Sequence, residues 1–332
     1  MFNTGSIFKR KKSQSQDYAY QYNQYTYNPT LNYTESMYYH PTQDMMQYQY
    51  YYQYYDYSGR ACTGIDYLDH LLHGGFRRGE VYLIAGEAGM GKTIFAIQFL
   101  KAGADRDEIG MYITVDEPSE DVKKGVKEAV GWDLDTYESS GRLVLTDFRT
   151  HFRIYSREEK VIIDPRDLAK LIIENVKKYN VRRLVIDPIA PLLITSHQDI
   201  LWVREYMREL IFQLKRLKEV TTIITSEIPT GEEKISRFGV EEYLASGVIT
   251  LSLTEIEGKI FRIMFIRKMR WTPIRPVKLV FDIQTQRGIV IIDKLENFVK
   301  KLKHGVDVYE QQYPEYQYYY PYQQYQYYYH QY

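Results

Sequence analysis

Between residues 78 and 294, short apolar runs without a helical period alternate with longer stretches whose apolar residues recur every three or four positions. The first run, "EVYLIAG" (80–86), is apolar past its opening residue, which suits a strand buried on both faces. Behind it, "KTIFAIQFLKAGA" (92–104) combines strong helix formers with a helical apolar spacing. The alternation repeats: strand "GMYITV" (110–115), helix "PSEDVKKGVKEAV" (118–130), strand "RLVLTD" (142–147). Asp164-Pro165 supplies an N-cap and a proline at the first helical position, and the body that follows sets Leu168, Leu171, Ile172 and Val176 along one stripe. Strand "RLVIDP" (183–188), a long helix from Ile200 to Lys218 and strand "TTIITSE" (221–227) come next. After "FGVEEYLASG" the texture turns strand-rich, through "VITLSL", "GKIFRIMFIRKMR", "VKLVFDI" and "GIVIID". The pattern predicts an α/β fold: a mainly parallel central sheet flanked by helices, closed by a C-terminal antiparallel β extension.

Composition changes this picture only at the ends. Of 35 tyrosines among 332 residues, fifteen lie between Tyr18 and Tyr57 and twelve between Tyr309 and Tyr332, which leaves eight for everything between. Residues 1–58 and 306–332 therefore read as low-complexity Tyr/Gln-rich disordered tails, and 59–305 as the folded domain, long enough to bury a sizeable core. The tails hold too few aliphatic residues to recover the entropy of ordering. They suit inert flanks, adhesive segments or tyrosine phosphorylation targets, and their recurrence at both ends favours adhesion.

Formal net charge is +0, so nothing global calls for nucleic acid or an acidic membrane; the basic run "FKRKK" (8–12) is a local exception. One cysteine, Cys62, excludes an intramolecular disulfide and fits a reducing compartment. The longest apolar run is too short to cross a bilayer, and no apolar core follows the N-terminal basic residues, so a cytoplasmic location without membrane insertion is expected.

The chemistry concentrates at Gly86-Glu87-Ala88-Gly89-Met90-Gly91-Lys92-Thr93, which fits G-x-x-x-x-G-K-[ST] between a predicted strand and a predicted helix. Glycines let backbone N–H groups wrap a polyphosphate, and the helix N-terminus at Ile94 adds its partial positive charge. Lys92 can reach the β- and γ-phosphates, and the Thr93 hydroxyl can hold Mg²⁺. A nucleoside triphosphate is the ligand this loop predicts. Asp187, closing "LVID", is a candidate magnesium carboxylate, although Asp before Pro also starts turns. Asp116 and Glu117 stand where the strand after the loop helix ends, as water-orienting acids or as an acidic helix start.

Taken in order, "TGIDYLDHLLHGGFRRGEVYLIAGEAGMGKT", "GMYITVDEPSEDVKKGVKEAVGWDLD", "TSEIPTGEEKISRFGVEEYLASGVITL" and "IRKMRWT" resemble the KaiC-like family of the RecA/RadA superfamily, in its single-domain archaeal type. The resemblance spans about residues 61–293, with 148–162 unmatched. It implies a RecA-like core, ATP with Mg²⁺, and a homo-oligomeric ring, usually hexameric, with ATP between subunits. It further implies that Lys92 and Thr93 serve phosphate and metal, that Asp187 is the Walker B carboxylate, and that Ser226 adjoins the nucleotide. Asp116 and Glu117 take the family's catalytic Glu pair; with Asp in the first place, Glu117 is the main water-orienting group and slow hydrolysis is expected. Lys268 and Arg270, two apart on a predicted strand, project from one face. By resemblance they reach the γ-phosphate of the neighbouring subunit; without it, they read as a solvated basic face. Trp271 stands where the family often has Gly, and the nearby family histidine is missing. Glu242 and Tyr243 replace the Ser-Thr pair that the clock member phosphorylates, so no such autokinase activity is expected.

Two weaker signals remain. His70 and His73 in "DHLLH" have helical spacing for a metal pair but no third ligand, so a solvated face is preferred. "DFRTHFRIYSREEK" (147–160) interleaves Arg149, Arg153 and Arg157 with Phe148, Phe152 and Tyr155, as a single-stranded nucleic-acid groove would; a surface helix gives the same text and is preferred. Three functions follow in order of preference. The first is an ATP-dependent regulator or assembly factor with a client protein in signalling or motility. The second is a DNA-binding ATPase of the RadA-paralogue kind, and the third a nucleotide-gated scaffold presenting Tyr-rich tails.

Overall fold

A computed structural model describes residues 59–148, 164–193, 200–228 and 235–304. Their organising element is a nine-stranded sheet in the order β11-β10-β9-β8-β3-β7-β6-β4-β5. Six strands are parallel: β3 (Val81–Gly86), β4 (Gly110–Thr114), β5 (Leu143–Asp147), β6 (Arg183–Asp187), β7 (Thr221–Glu227) and β8 (Gly247–Ile256). From β8 the sheet continues antiparallel through β9 (Lys259–Met269), β10 (Val277–Gln284) and β11 (Gly288–Lys294). A short ribbon, β1 (Arg60–Ala61) with β2 (Phe76–Arg77), precedes β3 and encloses helix α1 (Asp66–Leu71).

Every residue of β3 is buried, because successive side chains enter two different cores. Tyr82 and Ile84 join the core that holds helix α2 (Lys92–Ala104), whereas Val81, Leu83 and Ala85 join the opposite one. Tyr112, Val185 and Ile223 continue the first set, and Met111, Ile113, Leu184, Ile186 and Ile224 the second. A strand covered on both sides has no polar face, which is why the sequence shows uninterrupted apolar runs here. Helix α3 (Ser119–Val130) adds Val122, Val126 and Val130 to the α2 side, and helix α4 (Leu134–Ser139) adds Leu134. On the other side lie α5 (Pro165–Lys178), with the Asp164 carboxylate accepting from Arg166 N–H as N-cap, and α6 (Ile200–Lys215). The α6 helix ends three residues before the predicted Lys218. A short helix α7 (Glu241–Leu244) leads into β8, and α8 (Leu295–Lys303) packs Phe298 on Phe261, Ile263 and Val280 beneath the antiparallel extension.

A buried cation ties the layers together. The fully buried Arg183 guanidinium donates to Glu108 Oε2 at 2.6 Å, to the Cys62 carbonyl at 2.6 Å and to the Phe99 carbonyl at 2.7 Å. Gly103 leaves the room for it, since a Cβ there would lie 2.3 Å from Arg183 Cδ. Glu108 also accepts from Arg78, and the two guanidinium groups outweigh its burial to hold its carboxyl below the ordinary range.

Candidate nucleotide site

The phosphate loop occupies the turn between β3 and α2, as its spacing predicted. Gly91 is the N-cap at φ 98°, a conformation natural to glycine, and a Cβ there would meet Ile283 Cδ1 at 2.7 Å. The Lys92 ammonium lies back along the loop and donates to the carbonyls of Gly86 (2.9 Å) and Glu87 (2.8 Å). Burial pulls the Lys92 pKa below its usual value, with Glu227 and Asp187 opposing. The side chains of Met90 and Ile94 are buried, so their N–H groups are what they offer to a ligand, at a helix end that leaves such donors unpaired.

Asp187, at the carboxyl end of β6, collects three hydroxyl donors. Thr93 Oγ1 donates to its Oδ2 at 2.9 Å, Tyr112 Oη to Oδ2 at 2.6 Å, and Thr225 Oγ1 to Oδ1. Burial and the Asp187 charge push the Tyr112 phenol well above its ordinary range, so it stays protonated and keeps donating. Strand register explains the convergence. Thr114 pairs with Asp187, and Gly86 pairs with both Glu227 and Leu251, so all these groups share one edge of the sheet. Ligands of open parallel sheets sit at that carboxyl edge.

Asp116 and Glu117 are exposed at the same edge, and the Thr114 hydroxyl donates to the Glu117 carbonyl at 2.6 Å, fixing the turn that carries them. Burial raises the Asp116 pKa first, and Glu227, Asp187 and Glu117 add to it. Glu227 was not singled out in the sequence, although an acid ending the strand beside Gly86 was the available signal. Ser226, read as a nucleotide neighbour, faces elsewhere. Its buried hydroxyl donates to Glu241 at 3.0 Å and accepts from Arg237 N–H at 3.1 Å, anchoring the segment before α7.

The Lys268–Arg270 pair is not brought to this loop within the protomer. Both side chains reach the Tyr243 carbonyl, Lys268 at 3.4 Å and Arg270 at 3.0 Å, and Lys268 donates to the Glu242 carbonyl at 2.7 Å. Met269 pairs with Gly247, and Gly247 with Tyr82 near the start of β3, so the pair stands at the amino edge of the sheet. From Tyr82 to Gly86 the strand rises about 13 Å. Burial, Arg270 and Lys215 lower the Lys268 pKa to about 8.

Other sequence signals resolve differently. Helix α1 ends at Leu71 and His73 has φ 54°, so His70 and His73 do not share a helical face; among the described residues no cluster of His, Cys, Asp or Glu suits a metal. Phe148 is fully buried against the α5 side of the sheet, which removes it from any base-stacking surface. Arg149, Phe152, Arg153, Tyr155 and Arg157 lie outside the described residues, as do both Tyr-rich tails. No helix among the described residues is long and apolar enough to cross a membrane.

A mainly parallel sheet with a phosphate loop after β3 and a carboxylate at the end of β6, two strands away, defines a RecA-like P-loop nucleotide-binding domain. The family model for the KaiC ATPase matches residues 61–296. The chain belongs to the KaiC family of ATPases. Its relatives include a UPF0273 protein of Thermotoga maritima, 35% identical over 240 residues, covering 70% of this chain and 95% of the relative. The circadian clock protein KaiC3 of Synechocystis is 36% identical over 234 residues, covering 69% of this chain and 45% of that protein. A crystal structure of a KaiC-like protein from Pyrococcus horikoshii superposes with a TM-score of 0.59 at 35% identity, covering 70% of this chain and 98% of that one.

Proposed function

We propose that this protein binds MgATP at the 86–93 loop and hydrolyses it slowly within a homo-oligomeric ring, usually of six subunits in this family, whose ATP state a client protein in signalling or motility reads. The observation that carries the reading is the separation of the two halves of the site. The phosphate loop with Asp116, Glu117, Asp187 and Glu227 occupies the carboxyl edge, and Lys268 with Arg270 the amino edge. One protomer therefore presents acids and phosphate donors where the next must present cations. Such a head-to-tail contact builds a ring when the rotation between neighbours closes on itself.

The donor set suits magnesium, which takes one or two protein oxygens and keeps its waters. Thr93 Oγ1 and Asp187 Oδ2 are hard oxygens 2.9 Å apart. A magnesium ion held by Thr93 and Asp187 would supply positive charge to offset that of the phosphates. The remaining roles belong to the chain. Backbone N–H groups of 89–94 hold the phosphates, and Lys92 exchanges its loop carbonyls for phosphate oxygens. Glu117 orients the attacking water, with Asp116 as its shorter partner, raised in pKa and so better suited to take a proton. Lys268 and Arg270 of the adjacent subunit balance charge at the γ-phosphate. Sedimentation with ATP and with ADP tests the reading: wild type should assemble with ATP, and Lys92→Ala should lose ATP binding and assembly together. A Lys92→Ala protein that binds ATP tightly would show the site to be misassigned.

A further inference from the structure

Beside the basic pair stand two large rings that the protomer leaves in solvent. Trp271 is 71% exposed and Tyr243 is 65% exposed, against a mostly buried set of apolar side chains. Trp271 follows Arg270 directly, and Arg270 is held by the Tyr243 carbonyl, so rings and cations form one patch at the amino edge. Arg60 extends the patch by donating to Thr272 Oγ1 at 2.9 Å. Trp271 also adopts φ 62°, a left-handed conformation that a bulky residue rarely takes. An exposed indole on an unfavourable backbone gains nothing inside the protomer. Trp, Tyr and Arg together are the residues that dominate binding energy where a protein surface is covered.

We infer that Trp271 and Tyr243 are aromatic anchors seated in trans on the carboxyl edge of a second copy of this chain, flanking its nucleotide site. Charge complementarity selects that occupant. The patch carries Lys268, Arg270 and Arg60, and the opposite edge of the same chain carries exposed Asp116 and Glu117 with Glu227 behind them. The inference rests on the ring reading above and adds the residues that bury. By covering the mouth of the neighbour's loop, the rings exclude water around the bridging cations, which strengthens their interaction with phosphate. An aromatic pair in this place makes nucleotide exchange depend on subunit separation.

Trp271 is its own probe, because Trp132 is buried and Trp202 half-buried in the protomer. Acrylamide quenching of the full chain is measured with and without a non-hydrolysable ATP analogue and magnesium, alongside sedimentation and a Trp271→Phe control. Assembly should cut the Trp271 quenching at least about threefold, and the change should vanish in Trp271→Phe, as expected for a ring moved from solvent to an interface. Trp271→Gly relieves the left-handed backbone, so it folds, and it should weaken assembly about tenfold or more, with apparent ATP affinity falling by the coupled amount. If the chain assembles and Trp271 remains as quenchable as before, the anchors are wrong and the ring stands. If ATP drives no assembly, both fall.

Discussion

Thr93 and Asp187 are 94 positions apart in the chain and 2.9 Å apart in space, joined by a hydrogen bond across the mouth of the phosphate loop. That bond links the first turn of α2 to the end of β6. It brings together one oxygen from the loop and one from the sheet, placed so that both could hold the same metal ion. Removing the hydroxyl in Thr93→Val should leave the fold intact, since Tyr112 and Thr225 still donate to Asp187. ATP affinity should fall about tenfold in magnesium and little in EDTA, as expected for a metal-linked role. Calorimetry in the two buffers checks this; equal losses would place the hydroxyl on phosphate and not on metal.

Gly91→Ala tests the cradle. The left-handed φ of 98° costs an alanine about 1–2 kcal/mol, and its Cβ must displace the tip of Ile283, a flexible side-chain end. The loop should therefore deform while the domain persists. Nucleotide affinity should drop at least tenfold, with a small fall in unfolding midpoint, because N–H donors aimed at phosphate lose their alignment.

Arg183 carries a different kind of load. Arg183→Met leaves the Cys62 and Phe99 carbonyls without their donor and removes one of the two cations at Glu108. Breaking a buried pair from one side costs about 3–5 kcal/mol. Urea unfolding should show a loss of that size, with ATP binding retained in the fraction that folds.

Lys268 sets a pH dependence. With its pKa near 8 against an ordinary 10.5, it is charged at pH 7 and loses its proton just above. ATP-driven assembly should therefore weaken as pH rises from 7 to 9, and Lys268→Arg, which keeps its charge, should flatten that slope. For the isolated fold the sign reverses. The unfolded chain holds the proton more tightly, so this group's contribution to stability grows as pH rises from about 8 toward 10.5.

Much of this was legible from residue order, for identifiable reasons. The strands at 81–86, 110–114, 183–187 and 221–227 are covered on both faces, and double burial removes the polar–apolar alternation of a one-sided strand, most plainly in 81–86. The phosphate loop was legible because its chemistry is local: donors, lysine and hydroxyl come from eight consecutive residues. Two-residue spacing predicted Lys268 and Arg270 on one strand face; β9 ends at Met269, so Arg270 opens the turn after it, yet both side chains reach the Tyr243 carbonyl. What escaped depends on register. Glu227 enters the site because β7 lies beside β3 with Glu227 opposite Gly86, and Ser226 leaves it because the next residue back points to the other face. The α8 helix went unread although Leu295, Phe298 and Leu302 have helical spacing, because it continues directly from β11 without a break. The Arg183 cluster unites residues 62, 99, 108 and 183, a relation no local pattern carries.

The central claim is that each nucleotide site is completed by the next subunit, and mixing defective protomers tests it most directly. Lys92→Ala cannot hold ATP, and the double variant Lys268→Ala, Arg270→Ala cannot supply the cations. Each should lack ATPase activity alone. Coexpressed, they should recover activity at the contacts that pair the intact loop of one variant with the intact basic edge of the other, head to tail. A coassembled mixture that stays as inactive as either variant alone would contradict the account.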